Sequence, residues 1–276
     1  MLDDDGVVAR RVCSTTALPE LGALDRTGLA ALRCSGSAQP SVAGFHDLVQ
    51  RLGVRDADLL VVDLRQESHG FLNGAAISWY AETNWGAAGL PDAEALALEA
   101  ARLATLARAP TVRISDAAAL KRGEPPVVSV WQRHSVADEA RAFARPAGRY
   151  LRLPVTDHAR PDDATVDRFV ALVRRLTDEI HLHLHCRGGK GRTATFLCLY
   201  DMLRNAARLP RATIFARQAR FADYDLGKPV DPARAKAPYL VERRGFLEQF
   251  YDYARANPGG APLGWTAWRA GRPDER

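Results

Sequence analysis

The 276-residue chain has only four cysteines and two methionines, and no apolar run in it approaches the ~20 residues that a membrane-spanning helix needs. Four cysteines over this length are too few for a disulfide framework, although a bond between Cys13 and Cys34 stays open. The N-terminus, MLDDDGVVARR, is acidic and lacks the apolar stretch of a secretory signal. A soluble chain is expected, periplasmic or secreted only if a signal segment has been removed. Internal repeats and low-complexity segments are also lacking. The Trp and Tyr residues near the C-terminus read as packing groups rather than a base-stacking platform, so nucleic acid is not expected as a partner.

What is present is ordinary globular material, 47% hydrophobic and 26% charged, with Lys plus Arg exceeding Asp plus Glu by 38 to 33. Much of the basic excess lies beyond residue 185, which points to an anionic ligand rather than a basic surface throughout. One main domain over residues 1–276 is expected, with a small insert.

Apolar runs bounded by turn residues alternate with helical patterns, the mark of an α/β architecture. Strands are predicted at 58–65, 111–115, 126–132 and 149–155, and again where HLHLH precedes Cys186. The second and third fall in a β-rich insert, residues 109–148. Helices are predicted over 90–108, 161–179, 191–205, 210–221 and 237–257. In the second of these, Val166, Phe169, Val170, Val173 and Leu176 share one face.

The stretch HCRGGKGRTAT, residues 185–195, joins a predicted strand to a predicted helix. A loop of small residues entering a helix turns successive backbone N–H groups toward one point, where the helix N-terminus adds partial positive charge. Arg187, Gly188, Gly189, Lys190 and Gly191 would form such a cradle for a phosphate-sized dianion. The same field favours Cys186 as a thiolate nucleophile, with Arg192 as a planar fork on two phosphate oxygens. Thr193 could donate its hydroxyl to the sulfur. A Walker A reading fails because the GK[ST] ending is absent, and an inert strand-to-helix turn has no need of so basic a loop. Phosphoryl chemistry through cysteine also needs an acid for the leaving oxygen. Asp157, in VTDHARP after a predicted strand, is the candidate, with His158 beside it; a helix-capping role falls more naturally to Asp162 or Asp163.

HLHLH puts His181, His183 and His185 on one side of a strand, which invites a zinc reading. The strand runs straight into the phosphate loop, however, so a role for His185 in orienting that loop is preferred.

These residues carry a resemblance. HCRGGKGRT resembles the CX5R signature of cysteine-dependent protein tyrosine phosphatases (PTPs), and VTDH with DLRQESHGFLNG, residues 63–74, is similar to the bacterial PTP-like inositol polyphosphatases, the cysteine phytases. LRCSGSAQPS, SWYAETNWG, FLEQFYDYARAN and WTAWRAG extend the similarity over most of the chain. The resemblance implies a PTP-like core, a central mixed sheet flanked by helices, with a small partial β-barrel packed on it. It implies a hydrolase that removes phosphates stepwise from myo-inositol hexakisphosphate through a phosphocysteine, with no metal or organic cofactor. Cys186 would be nucleophile, Arg192 clamp and Asp157 acid.

The family pattern often has an acidic residue after the cysteine and an apolar one before the last glycine, where this chain has Arg187 and Lys190. Added positive charge favours a polyanionic ring, and also resembles the loops of phosphoinositide phosphatases. Further ring phosphates need cations at the rim, for which Arg65, Lys190, Lys236 and Arg243 are the first candidates, and Arg187, Lys121 and Arg122 the next. Glu67 and His69 could brace Arg65. The partners expected are inositol hexakisphosphate and lower inositol phosphates, with no obligate protein partner. Rival readings are a phosphotyrosine or phosphoinositide phosphatase, and a binding module that keeps the cradle without turnover.

Overall fold

The computed structural model describes residues 1–18, 22–116, 124–146 and 148–271. Its strands run β1 (Leu2–Asp4), β2 (Cys13–Ser14), β3 (Cys34–Ala38), β4 (Leu59–Arg65), β5 (His69–Leu72), β6 (Ala75–Ser78), β7 (Thr111–Ser115), β8 (Val128–Gln132), β9 (Val136–Ala137), β10 (Tyr150–Val155) and β11 (His181–Cys186). The α-helices are α1 (Val42–Leu52), α2 (Asp92–Arg108), α3 (Glu139–Ala142), α4 (Asp163–Arg175), α5 (Gly191–Asn205), α6 (Arg211–Phe221), α7 (Ala237–Ala256) and α8 (Trp265–Ala270).

The main sheet has the order β10-β4-β11-β3-β2, parallel except for β2. Period two divides its central strands between two faces. Leu60, Val62 and Leu64 of β4 join Leu182, Leu184 and Cys186 of β11 in the larger core, against Phe169 of α4, Phe196 of α5, Phe250 of α7 and Trp265. On the alternate positions, Leu59 and Val61 pack with Phe45 and Leu48 of α1 in a second core. Asp63, Arg65, His183 and His185 occupy the same alternate positions and are buried. The sheet therefore carries a polar layer at one end of that face.

Helix starts follow local chemistry. Ser41 Oγ accepts from Gly44 N at α1, and Asp162 accepts from Thr165 N at α4, so Asp162 is a cap and Asp157 is not. The phosphate-loop helix begins at Gly191 with no side-chain cap, which leaves its first N–H groups to the loop.

A smaller sheet has the order β1-β6-β5-β9, and β7 pairs with β8 as a separate antiparallel ribbon. Only β9 of that smaller sheet comes from residues 109–148; the rest comes from the N-terminus and residues 69–78. The β-rich unit thus draws on more chain than the insert read from sequence. All four cysteines are free, which removes the Cys13–Cys34 disulfide. No helix among the described residues is long and apolar enough to cross a membrane.

Candidate active site

The loop after β11 turns back onto β3. Gly189 has φ +61°, and a Cβ there would lie 2.4 Å from Ala38 N and 2.6 Å from Ser37 C, so the bend requires glycine. Backbone bonding pins the turn, with Gln39 N donating to Arg187 O at 3.2 Å. Thr193 Oγ1, in the first turn of α5, donates to Cys186 Sγ at 3.3 Å.

Arg192 returns from α5 to the ends of β4 and β10. Its Nη1 and Nη2 donate to the two oxygens of Glu67 at 2.6 and 3.0 Å, and Nη1 also reaches Val155 O at 3.1 Å. Nε is buried without a hydrogen bond and lies 3.4 Å from Asp157 Oδ1. One edge of the guanidinium is fixed, and its Nε remains for an incoming oxygen. Burial opposes the charge of Arg192, but Asp157 and Glu67 hold it protonated. Burial also opposes the charge of Glu67, yet Arg192 and Arg65 keep its pKa below the ordinary carboxylate range.

A cleft of about 760 Å³ opens over Arg187, Gly188, Asp157, His158 and Lys236. Lys236 Nζ donates to His158 Nε2 at 2.8 Å, which makes that imidazole nitrogen an acceptor. Burial and the cationic neighbours lower the His158 pKa, against the pull of Asp157, so the ring is neutral.

The rim differs from the sequence reading. Arg65 is not a rim cation: it is fully buried, donating to Glu67 at 2.9 Å, Gln39 at 3.0 Å and Asp3 at 3.0 Å. Arg187 lines the cleft, but its charge is paired with Asp3 at 2.8 Å. Arg243 is buried beneath the loop, where a Cβ on Gly191 would lie 2.6 Å from its Nη1, and it donates to Tyr224 OH at 3.3 Å. Lys190 is exposed and off the cleft lining. Lys121 and Arg122 lie outside the described residues. Of the four first-choice cations, Lys236 alone lines the cleft, joined by Arg10 and Arg11, which the sequence reading passed over. Their adjacent positive charges were a visible signal; Asp3, hidden in an acidic run, gave none.

Glu67 braces Arg65 as proposed, but His69 turns elsewhere. His69 Nε2 lies 3.1 Å from Asp63 and 3.7 Å from Glu139, and Nδ1 3.3 Å from Glu99. Burial disfavours its charge, yet Asp63 and Glu99 raise its pKa to about 9. Asp63, His69 and Glu139 are close enough to suggest a metal site. Arg152 Nε at 3.1 Å and Tyr150 OH at 3.2 Å already serve the same Asp63 oxygen, and Gln39 Nε2 donates to Glu139 at 2.7 Å. A guanidinium against a ligand oxygen repels a divalent ion, so an imidazolium fits this cluster better. In HLHLH, His181 and His183 bond to Ser35 and Ser37, and His185 Nε2 contacts Glu139 at 2.7 Å, below the loop. These contacts leave no shared ligand point among the three.

Comparison with known proteins agrees with this architecture. A PTP-like phytase family model, described as inositol hexakisphosphate, matches residues 62–204. A PTP-like phytase from Bdellovibrio bacteriovorus is 33% identical with a TM-score of 0.77, over 95% of this chain and 90% of that one. The PTP-like myo-inositol phosphatase from Mitsuokella multacida, solved with myo-inositol-(1,3,4,5)-tetrakisphosphate, is 28% identical with a TM-score of 0.87, over 98% of this chain and 47% of that one. The effector protein hopD2 of Pseudomonas syringae pv. tomato is 34% identical over 251 residues, 90% of this chain. Those residues make up 53% of hopD2, so the chain spans about half the length of that curated relative. With the family model covering half of the sequence and the Bdellovibrio enzyme matching almost end to end, the chain belongs to the PTP-like phytases, a family of phosphatases.

Proposed function

We propose that this chain hydrolyses inositol polyphosphates, inositol hexakisphosphate included, stepwise through a phosphocysteine. The observation that carries the reading is the meeting of Arg192 Nε and Asp157 Oδ1 at 3.4 Å beside a loop whose Cys186 accepts a hydroxyl hydrogen bond. The side chains read as clamp, acid and nucleophile come from α5, the turn after β10 and the end of β11.

In the first step Cys186 Sγ attacks phosphorus, the bond from phosphorus to the ring oxygen breaks, and Asp157 gives its proton to that oxygen. Loop N–H groups and Arg192 stabilise the charge spread over the equatorial oxygens. Water then attacks the phosphocysteine and gives its proton to Asp157. The phosphorus–sulfur bond breaks, releasing inorganic phosphate and the thiolate, which Thr193 stabilises. No step needs a metal. Lys236 supplies charge for a phosphate outside the loop, whereas Arg10 and Arg11 at the cleft wall are paired with Asp4 at 3.0 Å and Asp223 at 3.2 Å.

Asp4 and Asp5 also line the cleft, so its field is not positive throughout. That favours, as a second reading, a substrate with fewer phosphates, such as a lower inositol phosphate or a phosphotyrosine. The experiment is phosphate release from inositol hexakisphosphate by the wild type and Cys186→Ser, with chelator present and products resolved over time, beside a phosphotyrosine peptide. Release by the wild type alone through successively lower inositol phosphates supports the proposal. Release from the peptide only moves the assignment to the second reading, and turnover by Cys186→Ser removes the nucleophile.

A further inference from the structure

The turn between β6 and α2, residues 82–85, touches the acid twice. Asn84 Nδ2 donates to Asp157 Oδ2 at 3.2 Å and to Glu67 Oε1 at 2.8 Å. Trp85 Nε1 donates to Asp157 O at 2.8 Å. The Glu67 contact fixes the orientation of the Asn84 amide, because the ionised Glu67 carboxylate accepts and only the NH2 end can donate. One planar group therefore spans the counterion of Arg192 and the candidate acid.

The backbone supports a specific demand at this turn. Thr83 and Asn84 have φ of +52° and +69°, two successive non-glycine residues in the left-handed region. Asparagine tolerates this conformation better than most residues, threonine poorly, and such strain persists where surroundings over-determine it. Those surroundings are visible: Asn84 is 8% exposed, and the Trp85 ring packs on Tyr239 of α7 with centroids 4.9 Å apart. Asp157 is thus gripped at its carboxylate by Asn84 and at its carbonyl by Trp85, from a turn anchored to the last long helix.

We propose that Asn84 is a positioning residue for the reaction: its amide, anchored on Glu67, holds Asp157 at the leaving oxygen. Trp85 completes the grip from the backbone side. The inference rests on Asp157 as the acid. Displacing an acid by about 1 Å costs on the order of a hundredfold in rate, and the cost falls on leaving groups that need the proton.

The test is the dependence of kcat on leaving-group basicity, measured with a series of aryl and alkyl phosphates for the wild type, Asn84→Ala, Trp85→Phe, Asp157→Asn and Asn84→Ala/Asp157→Asn. Trp85→Phe keeps an aromatic ring beside Tyr239 while removing the N–H donor along with part of the indole, so it carries the test if Asn84→Ala does not fold. Expected is a loss of about tenfold to a hundredfold on poor leaving groups for Asn84→Ala, and several-fold for Trp85→Phe. Good leaving groups should be affected by less than about threefold. In the Asp157→Asn background, Asn84→Ala should add little on poor leaving groups. Equal losses on all substrates, or additive losses in the double variant, overturn the proposal. If Asp157→Asn itself shows no leaving-group dependence, the acid assignment falls, a result distinct from a failure of Asn84 alone.

Discussion

Glu67 accepts both terminal nitrogens of Arg192, at 2.6 and 3.0 Å, and its Oε1 also accepts Arg65 Nε at 2.9 Å. Two buried guanidinium groups thus share one buried carboxylate. Asp3 extends the alternation by pairing with Arg65 at 3.0 Å and with Arg187 at 2.8 Å. A chain of opposite charges links the residue after Cys186 to the arginine that closes the motif, and it bridges the smaller sheet to the main one.

Glu67→Gln keeps the shape and removes the charge that both guanidinium groups face. Breaking a buried pair from one side leaves an uncompensated ion and costs about 3–5 kcal/mol. The expected result is a lower urea midpoint together with a loss of kcat on the order of a hundredfold, because Arg192 loses its orientation. A normal kcat in folded Glu67→Gln would mean that the loop alone orients Arg192.

Neighbouring glycines separate backbone need from mere smallness. Gly189→Ala places a Cβ against the Ser37–Ala38 backbone at positive φ and must shift the loop. It should lose most of its turnover and about 1–3 kcal/mol of stability. Gly188→Ala meets nothing within 4 Å at ordinary φ and should retain activity within a few-fold. Side-by-side kinetics and thermal melts of the two variants check the contrast.

Residue type and period made much of this legible. The predicted helix over 191–205 coincides with α5, and the alternating pattern of HLHLH predicted β11, which runs one residue further, to Cys186. The loop chemistry was readable because glycine, cysteine and arginine at that spacing are local in sequence. Pairing across distance was not. Nothing local to Arg65 says that Asp3 will meet it, so its charge read as free when it is neutralised. Asn84 was invisible for the same reason: its partners, Glu67 and Asp157, lie on opposite sides of it in sequence and converge only in the fold.

The polar layer gives stability a pH window with a sign at each end. The Glu139 pKa falls from 4.5 to about 2: burial is the largest influence and opposes its charge, but the charge and hydrogen bond of His185 with the hydrogen bond of His69 together outweigh it. Its contribution is present above pH 4.5 and is lost as pH falls toward 2. His69 rises from 6.5 to about 9, so its contribution is full below pH 6.5 and is lost as pH rises through 9. Urea midpoints should therefore decline on both sides, and His69→Gln should flatten the alkaline decline while lowering the neutral midpoint. An alkaline slope unchanged in His69→Gln would assign that limb to another group.

Lys236 and Arg243 sit seven residues apart on the last long helix and its cap, yet the structure separates their roles. Lys236 lines the cleft beside His158, where a phosphate outside the loop would meet it. Arg243 is buried beneath Gly191 and stacks over Tyr224 at 5.8 Å, so it supports the loop itself. Lys236→Gln should raise KM for an inositol polyphosphate by about tenfold, the size of one charge-assisted hydrogen bond, and leave a monophosphate nearly unchanged. The difference should shrink at high salt, because the cleft is open to screening. Arg243→Gln should instead lower kcat on both substrates and lower the melting temperature, since every substrate uses the loop. Equal effects of Lys236→Gln on both substrates would place it with the loop, and a polyphosphate-selective effect of Arg243→Gln would bring that side chain out to the ligand.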